Sequence, residues 1–161
     1  MFRSMNRLAT VAALAAFLGS GAAGARSQQS PLPGTESVAS PHGFEQQAQR
    51  LESAVAANGM AVVAKASASA GAAARGVKIP GNLVVMAFRN DYAVRMLAAS
   101  VASGIEAPLR IYVTEAPDGK VTVTYRKPSA VFEPYGSEAL DKMALELDAT
   151  FDRIVSDATA P

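Results

Sequence analysis

A two-stranded hairpin in the second half of the chain constrains the fold more than any other feature of the sequence. Leu109 to Thr114 and Val121 to Arg126 alternate between apolar and polar side chains, which predicts two strands that each bury one face. Between them, Ala116-Pro117-Asp118-Gly119 has Pro, Asp and Gly in the order of a type I turn followed by a left-handed glycine. Such a loop pairs Ala116 with Lys120 and so fixes the register of both strands.

This register places the polar side chains of the hairpin in cross-strand pairs on one face. The outward pairs are Thr114 with Thr122, Tyr112 with Thr124, and Arg110 with Arg126, whereas Val113 with Val123 and Ile111 with Tyr125 face the helices. Like charges directly opposite each other are unfavourable unless an anion lies between them. We therefore expect Arg110, Arg126 and Tyr112 to bind a small anion or a carboxylate, with Asn90 and Arg95 as further candidates. The alternative is that the arginines extend into solvent or pair with Glu106 or Glu115.

A second strand, Leu83 to Phe88, is apolar at every position. A strand with one solvated face would alternate, so this one is predicted to be central and covered on both sides. Helices on one side and a second subunit on the other are the simplest cover, which predicts a homodimer.

The remaining elements complete an α+β pattern. Apolar residues at helical spacing predict a helix that begins at Phe44 and stops at Asn58-Gly59, and a longer last helix from Ser137 to Ser156. Further elements are expected at Thr35 to Ser40 (strand), Met60 to Ala66 (strand) and Tyr92 to Ala102 (short helix, capped by Asn90 or Asp91). The fold class is therefore α+β, a two-layer sandwich with a mostly antiparallel sheet of three to five strands packed on an N-terminal and a long C-terminal helix.

The first 25 residues have the three parts of a secretory signal peptide. Arg3 and Arg7 precede the apolar stretch Leu8 to Leu18, and Ala23-Gly24-Ala25 offers a small-residue cleavage site. The apolar stretch is shorter than the roughly 20 residues of a membrane span. We expect cleavage near Ala25 and a periplasmic or secreted protein without a membrane anchor. Residues 26–40 are expected to be a flexible tether that includes the short strand, and residues 41–158 a single domain.

Composition excludes several classes of function. Removal of residues 1–25 takes away two arginines and no acid, which leaves 13 basic against 14 acidic residues. A near-neutral chain without a basic run is not expected to bind nucleic acid or an anionic membrane. The chain has no cysteine and a single histidine, His42, so no metal site and no cofactor are predicted.

Acidic residues offer the alternative of a small enzyme. Glu133 lies in an aromatic loop, Phe132 to Gly136, and Asp91 follows the central strand. Either carboxylate, supported by arginine, could serve a hydrolase or an isomerase. Asp148 with Asp152, and Glu138 with Lys142, lie opposite the apolar stripe of the last helix and are read as solvated.

Several short motifs occur in a characteristic order: the helix from Phe44, Gly59 to Ala73, Phe88-Arg89-Asn90, Gly104 to Arg110, and Asp118-Gly119 leading to Tyr125-Arg126-Lys127-Pro128. In this order they resemble the family called domain of unknown function 302, over about Phe44 to Ile154. The resemblance implies a TATA-box-binding-protein-like α+β fold and a homodimer, and implies no activity. Many members have a His after the second strand and an Asn-Asp-Pro near the end of the last. The matching stretches here hold Ala66 to Ala70 and Arg126-Lys127-Pro128.

Three functions remain open from the sequence. The first is a non-enzymatic homodimeric accessory protein that binds a small anion or an envelope protein partner. The second is the small periplasmic enzyme described above. The third is a structural dimer of the cell envelope. No catalytic residue is assigned.

Overall fold

A five-stranded antiparallel sheet with the strand order β1-β5-β4-β3-β2 forms one layer of the domain, and helices form the other. The computed structural model describes residues 32–161, so the predicted signal peptide and the first part of the tether lie outside the described residues. The predicted α+β sandwich is confirmed. In chain order the elements are β1 Thr35–Ser40, α1 Phe44–Ala57, β2 Ala61–Ala66, α2 Ala68–Ala73, β3 Asn82–Phe88, α3 Asn90–Ala99, a 3-10 helix Val101–Glu106, β4 Leu109–Glu115, β5 Val121–Arg126, α4 Pro128–Phe132, a 3-10 turn Glu133–Tyr135, and α5 Glu138–Thr159.

The β4–β5 hairpin has the predicted turn and register. The amide of Ala116 donates to the carbonyl of Lys120 at 2.8 Å, and Gly119 adopts a left-handed φ of 81° that suits glycine. Tyr112 then pairs with Thr124 and Val113 with Val123. The turn chemistry therefore determines which side chains of both strands face the helices.

The core lies between the sheet and the two long helices. Leu51 and Val55 of α1, Ile111 and Val123 of the sheet, and Phe151 of α5 have no exposed surface. Burial of each large apolar side chain stabilises the fold by roughly 1.5–3 kcal/mol. The helices α1 and α5 thus cover one face of the sheet and bury its apolar side chains.

Residue-level signals set the end of α1 and the start of α5, but not the bounds of α3, which spans Asn90–Ala99 rather than Tyr92 to Ala102. Asn58 ends α1 with Gly59 in a left-handed conformation, and the Ser137 hydroxyl accepts from the amide of Leu140 at the start of α5. The prediction that Asn90 or Asp91 caps α3 was wrong. The cap residue is Arg89, whose carbonyl accepts from the amide of Ala93, and no side chain caps this end of the helix. The Asp91 carboxylate bonds to the Arg89 guanidinium.

The strand predicted at Thr35–Ser40 is present as β1 and pairs along its whole length with β5. These residues therefore belong to the sheet rather than to the tether. β1 and β2 form the two edges of the sheet, and β4 lies at its centre.

The all-apolar strand β3 lies between β2 and β4 and has two unlike faces. Val85 and Ala87 are buried in the core, whereas Val84 and Met86 alternate with them and are only partly buried. Among residues 32–161, the helices cover one side of this strand. The second subunit predicted for the other side remains a prediction.

Candidate functional site

The two arginines of the hairpin meet at one end of the sheet. Ile111 of β4 pairs with Tyr125 of β5. Arg110 precedes Ile111 and Arg126 follows Tyr125, so the two arginines lie next to this pair on adjacent strands. The neighbouring strands place Met86 opposite Arg110 and Thr35 opposite Arg126. Both arginines line an open pocket of about 360 Å³, whose other walls are Leu32, Glu106, Leu109 and Val131. We call this pocket the arginine pocket.

Arg126 is held in place but is not fully satisfied. Its Nη2 donates to the carbonyl of Ala130 at 3.0 Å, which ties the side chain to α4. Its Nε is buried and has no hydrogen-bond partner within the described chain. A buried guanidinium N–H without an acceptor is rare in native proteins, so this atom marks a position where an acceptor is expected.

Arg110 is exposed and, within residues 32–161, makes neither a hydrogen bond nor an ion pair. The two carboxylates that could have neutralised the arginines have other partners. Glu106 accepts a hydrogen bond from the Tyr135 hydroxyl at 2.9 Å, which raises the pKa of Tyr135. Glu115 accepts from the amide of Gly81 at 3.0 Å. Glu106 lines the pocket and lowers its net positive charge, but forms no ion pair with either arginine.

Tyr112 lies on the same face of β4 as Arg110, two residues further along the strand. Its side chain is 40% exposed. Thr124 stands opposite and shares a hydrogen bond with Ser37 of β1 at 2.9 Å. Tyr112 therefore extends the polar face next to the arginine pocket without lining the pocket itself.

Arg95 and Asp91 lie in a second cluster at the start of α3. Arg89 donates two hydrogen bonds to Asp91, and Arg95 donates two to Glu146 of α5 at 2.7 Å. Both guanidinium groups stack on the ring of Tyr92, with Cζ at 4.1 Å and 5.3 Å from its centroid. These contacts hold the pKa values of Asp91 and Glu146 below their usual range. We call these five residues the α3 cluster.

The predicted binding residues therefore do not form one site. Arg110 and Arg126 share the arginine pocket, Tyr112 lies beside it, and Asp91 and Arg95 belong to the α3 cluster. Asn90 is exposed in the first turn of α3, and Glu133 is exposed in the 3-10 turn after α4. Neither lines the arginine pocket.

Sequence reasoning missed Leu32 and Val131 as walls of the pocket, since neither lies in the hairpin, and it named Glu106 only as an alternative ion-pair partner of the arginines. It also missed Tyr92 and Glu146. One signal for Tyr92 was available, since Tyr92 and Arg95 are three residues apart and thus neighbours on a helix surface.

The described residues offer few groups suited to acid–base or metal chemistry. The carboxylates with a shifted pKa are Asp91, Asp118 and Glu146, and a cationic neighbour lowers each one. Between residues 32 and 161, no three His, Asp or Glu side chains lie close enough to hold a metal ion. Over the same residues, no helix has both the length and the apolar character of a membrane span.

The fold and the pocket define a small α+β domain with one helix-covered antiparallel sheet and a basic pocket at the sheet end. Residues 36–158 match the model of the family "Domain of unknown function DUF302", and the chain belongs to this family. The structure is similar to the crystal structure of an uncharacterized conserved DUF302 protein from Bacillus stearothermophilus. The TM-score is 0.71 at 16% sequence identity, over 79% of this chain and 99% of that one. No curated protein matches the sequence.

Proposed function

We propose that this protein is an exported, homodimeric and non-enzymatic binding protein whose arginine pocket takes a small oxyanion or the carboxylate of an envelope protein partner. The observation that carries the proposal is the buried Arg126 Nε, which has no acceptor among residues 32–161. Arg110 of the neighbouring strand lines the same pocket. An oxyanion between the two guanidinium groups would supply that acceptor. It would also neutralise the like-charge pair.

The geometry of Arg126 suits recognition of an oxyanion. A guanidinium presents its N–H groups in a fixed planar fork that matches carboxylate and phosphate oxygens. The hydrogen bond from Nη2 to Ala130 fixes this fork, so less side-chain freedom is lost on binding. Arg110, which is exposed, adds charge from the neighbouring strand.

The carboxylates favour binding over catalysis. The enzyme alternative needed Glu133 or Asp91 in a partly buried site, where desolvation raises a carboxyl pKa. Glu133 is exposed, and Asp91 is 61% exposed and paired with Arg89. Neither has the surroundings of a general acid or base.

The sheet face away from the helices supports the proposed homodimer. Val84 and Met86 of β3 lie on this face next to Tyr112 and Arg110 of β4, respectively. On the neighbouring strand β2, Ala66 pairs with Val84 and Ala64 pairs with Met86. The face is thus apolar over β2 and β3 and polar over β4 and β5, which suits a second copy docked across it.

The binding proposal is tested by thermal unfolding with inorganic phosphate. Phosphate should raise the melting temperature of the wild type, because a ligand that binds only the folded state stabilises it. Arg126→Gln and Arg110→Gln should each abolish that gain. Arg75→Gln is the matched control, since Arg75 is exposed and makes no side-chain hydrogen bond or ion pair with residues 32–161.

A different pair of results would contradict the binding proposal. If phosphate has no effect and Arg126→Gln is neutral or more stable by about 0.2–1 kcal/mol, the arginines are only a solvated like-charge pair.

The two further parts of the proposal, export and dimerisation, are measured separately. Intact mass of the exported protein should give an N-terminus at or near Arg26, and light scattering should give a dimer.

A further inference from the structure

The arginine pocket has an apolar wall in addition to its two guanidinium groups. Leu32, Leu109 and Val131 form this wall. Leu109 is buried in the core, and Val131 is partly buried against it. An inorganic oxyanion gains nothing from such a wall, whereas a ligand with an aliphatic group would cover the wall and remove it from water. The wall therefore favours an organic ligand.

Glu106 brings a carboxylate to the same pocket. Its Oε1 accepts from the Tyr135 hydroxyl at 2.9 Å, which ties the side chain to the 3-10 turn after α4. Its Oε2 makes no hydrogen bond with any residue between 32 and 161. Neither Arg110 nor Arg126 forms an ion pair with this carboxylate in the described chain. The pocket thus holds a negative and two positive groups at separate positions, and each is open to a partner of opposite charge.

From this arrangement we infer that the ligand of the arginine pocket is a free α-amino acid with an aliphatic side chain. Its carboxylate binds to Arg110 and Arg126, and its ammonium group donates to Oε2 of Glu106. Its side chain packs on Leu109 and Val131. The inference rests on the proposed function, because it uses the same pocket and the same arginines.

The charges of the pocket distinguish this ligand from other anions that two arginines could bind. A phosphate dianion would face the Glu106 carboxylate and leave Oε2 without a donor, so phosphate should bind more weakly than the amino acid. The C-terminal carboxylate of a protein partner has no free ammonium group beside it. The volume of about 360 Å³ lies in the range of roughly 300–1,000 Å³ that is usual for small-molecule sites.

Isothermal titration calorimetry with three ligands of similar shape tests the inference. L-Leucine has a carboxylate, an ammonium group and a branched side chain, whereas 4-methylpentanoate lacks the ammonium group and isopentylamine lacks the carboxylate. The wild type should bind L-leucine about tenfold more tightly than 4-methylpentanoate, as expected for one added charge-assisted hydrogen bond. Isopentylamine should not bind measurably, because no anionic group then neutralises the arginines.

Glu106→Gln separates recognition of the ammonium group from recognition of the carboxylate. The variant should bind L-leucine about tenfold more weakly than the wild type. It should bind 4-methylpentanoate more tightly, because one negative charge has left the pocket. Glu133→Gln is the matched control, since Glu133 is exposed and does not line the pocket. Tyr135→Phe removes only the hydrogen bond to Oε1, so it should keep the preference for L-leucine.

Three results would overturn the inference: equal binding of L-leucine and 4-methylpentanoate by the wild type, binding of isopentylamine as tight as that of L-leucine, or an undiminished preference for L-leucine in Glu106→Gln. The proposed function stands in each case if phosphate or 4-methylpentanoate binds and Arg126→Gln abolishes that binding. If the wild type binds neither phosphate, 4-methylpentanoate nor L-leucine, the proposed function fails as well. A melting curve shows whether each variant is folded, and the comparison of ligands on the wild type needs no variant.

Discussion

The hydroxyl of Tyr125 donates a hydrogen bond to Oδ1 of Asp152 at 2.5 Å, which joins strand β5 to helix α5 at the border of the core. The Tyr125 side chain is buried, and its ring also packs against Phe151 with 6.0 Å between the centroids. Burial, followed by the contact with Asp152, raises the pKa of the Tyr125 hydroxyl well above its ordinary value of 10.0. The folded state therefore holds this proton more tightly than the unfolded state.

Tyr125→Phe should change the alkaline stability of the protein. The contribution of a group whose pKa is raised by folding is present below its unfolded pKa and is lost as the pH rises through the folded pKa. Below pH 10 the variant should be less stable by about 1 kcal/mol, for one lost hydrogen bond. Above pH 10 the wild type should lose stability and the difference should shrink. Urea unfolding between pH 8 and pH 11 measures this.

Tyr112→Phe is the matched control for Tyr125. Tyr112 is 40% exposed, and its hydroxyl bonds to no residue of the described chain. Its replacement should leave the alkaline profile unchanged. Equal profiles for the wild type and Tyr125→Phe would contradict a role for the Asp152 contact.

Glu146→Gln should alter the acid stability. Arg95 lowers the pKa of Glu146 from its ordinary value of 4.5. The stabilisation from this carboxylate is therefore present above pH 4.5 and is lost as the pH falls through the lowered folded pKa. The variant should be less stable at neutral pH and should lose less stability between pH 5 and pH 2. Melting temperatures across this range measure the effect, and Glu45→Gln is the control, since Glu45 is exposed and forms no ion pair among residues 32–161.

Gly34→Ala should destabilise the domain more than the equivalent change at Gly76. Both glycines have a left-handed φ, of 72° and 73°, which costs an L-residue roughly 1–2 kcal/mol. A Cβ at Gly34 would also lie 2.1 Å from the Cβ of Ala130, whereas nothing lies within 4 Å of one at Gly76. Denaturant unfolding should show Gly34→Ala costing about 1–3 kcal/mol more. Equal losses of stability for the two variants would mean that the chain before β1 can move away from α4 with little change in the free energy of unfolding.

Gln47→Met should be neutral or stabilising by about 1 kcal/mol, because it removes a buried amide group that is only half satisfied. Gln47 has no exposed surface, and its Oε1 accepts from the Ser40 hydroxyl. Its Nε2 has no partner among residues 32–161. Gln46→Met is the control, since Gln46 is exposed on the same helix. A loss of 2 kcal/mol or more, on the scale of a broken buried polar contact, would show that the Ser40 bond is needed.

The hairpin could be predicted from the sequence because its register depends on local chemistry. Pro117, Asp118 and Gly119 determine the turn, and the side chains of both strands follow from it. The same logic gave the neighbouring positions of Arg110 and Arg126. What could not be predicted is which groups outside the hairpin reach them. The carbonyl of Ala130 bonds to Arg126 because of how α4 follows β5, and Leu32 comes from the segment before β1.

The α3 cluster is a second case in which the sequence does not predict a contact between two elements. Alternation and spacing identify Arg95 as a helix residue near the end of β3. Its pairing with Glu146 depends on the packing of α3 against α5, which are 51 residues apart at this contact. Sequence patterns report which face of an element is apolar, and they carry no direct information on which charges meet between two elements.

The position of β1 at the edge of the sheet has a consequence for the order of assembly. Ser37 and Thr124, which share a hydrogen bond, are separated by 87 residues in the chain, and α5, which closes the core, begins only at Glu138. A growing polypeptide therefore cannot complete the edge pairing before β5 is synthesised, or the core before α5 is synthesised. This topology therefore delays closure of the core until α5 has been synthesised.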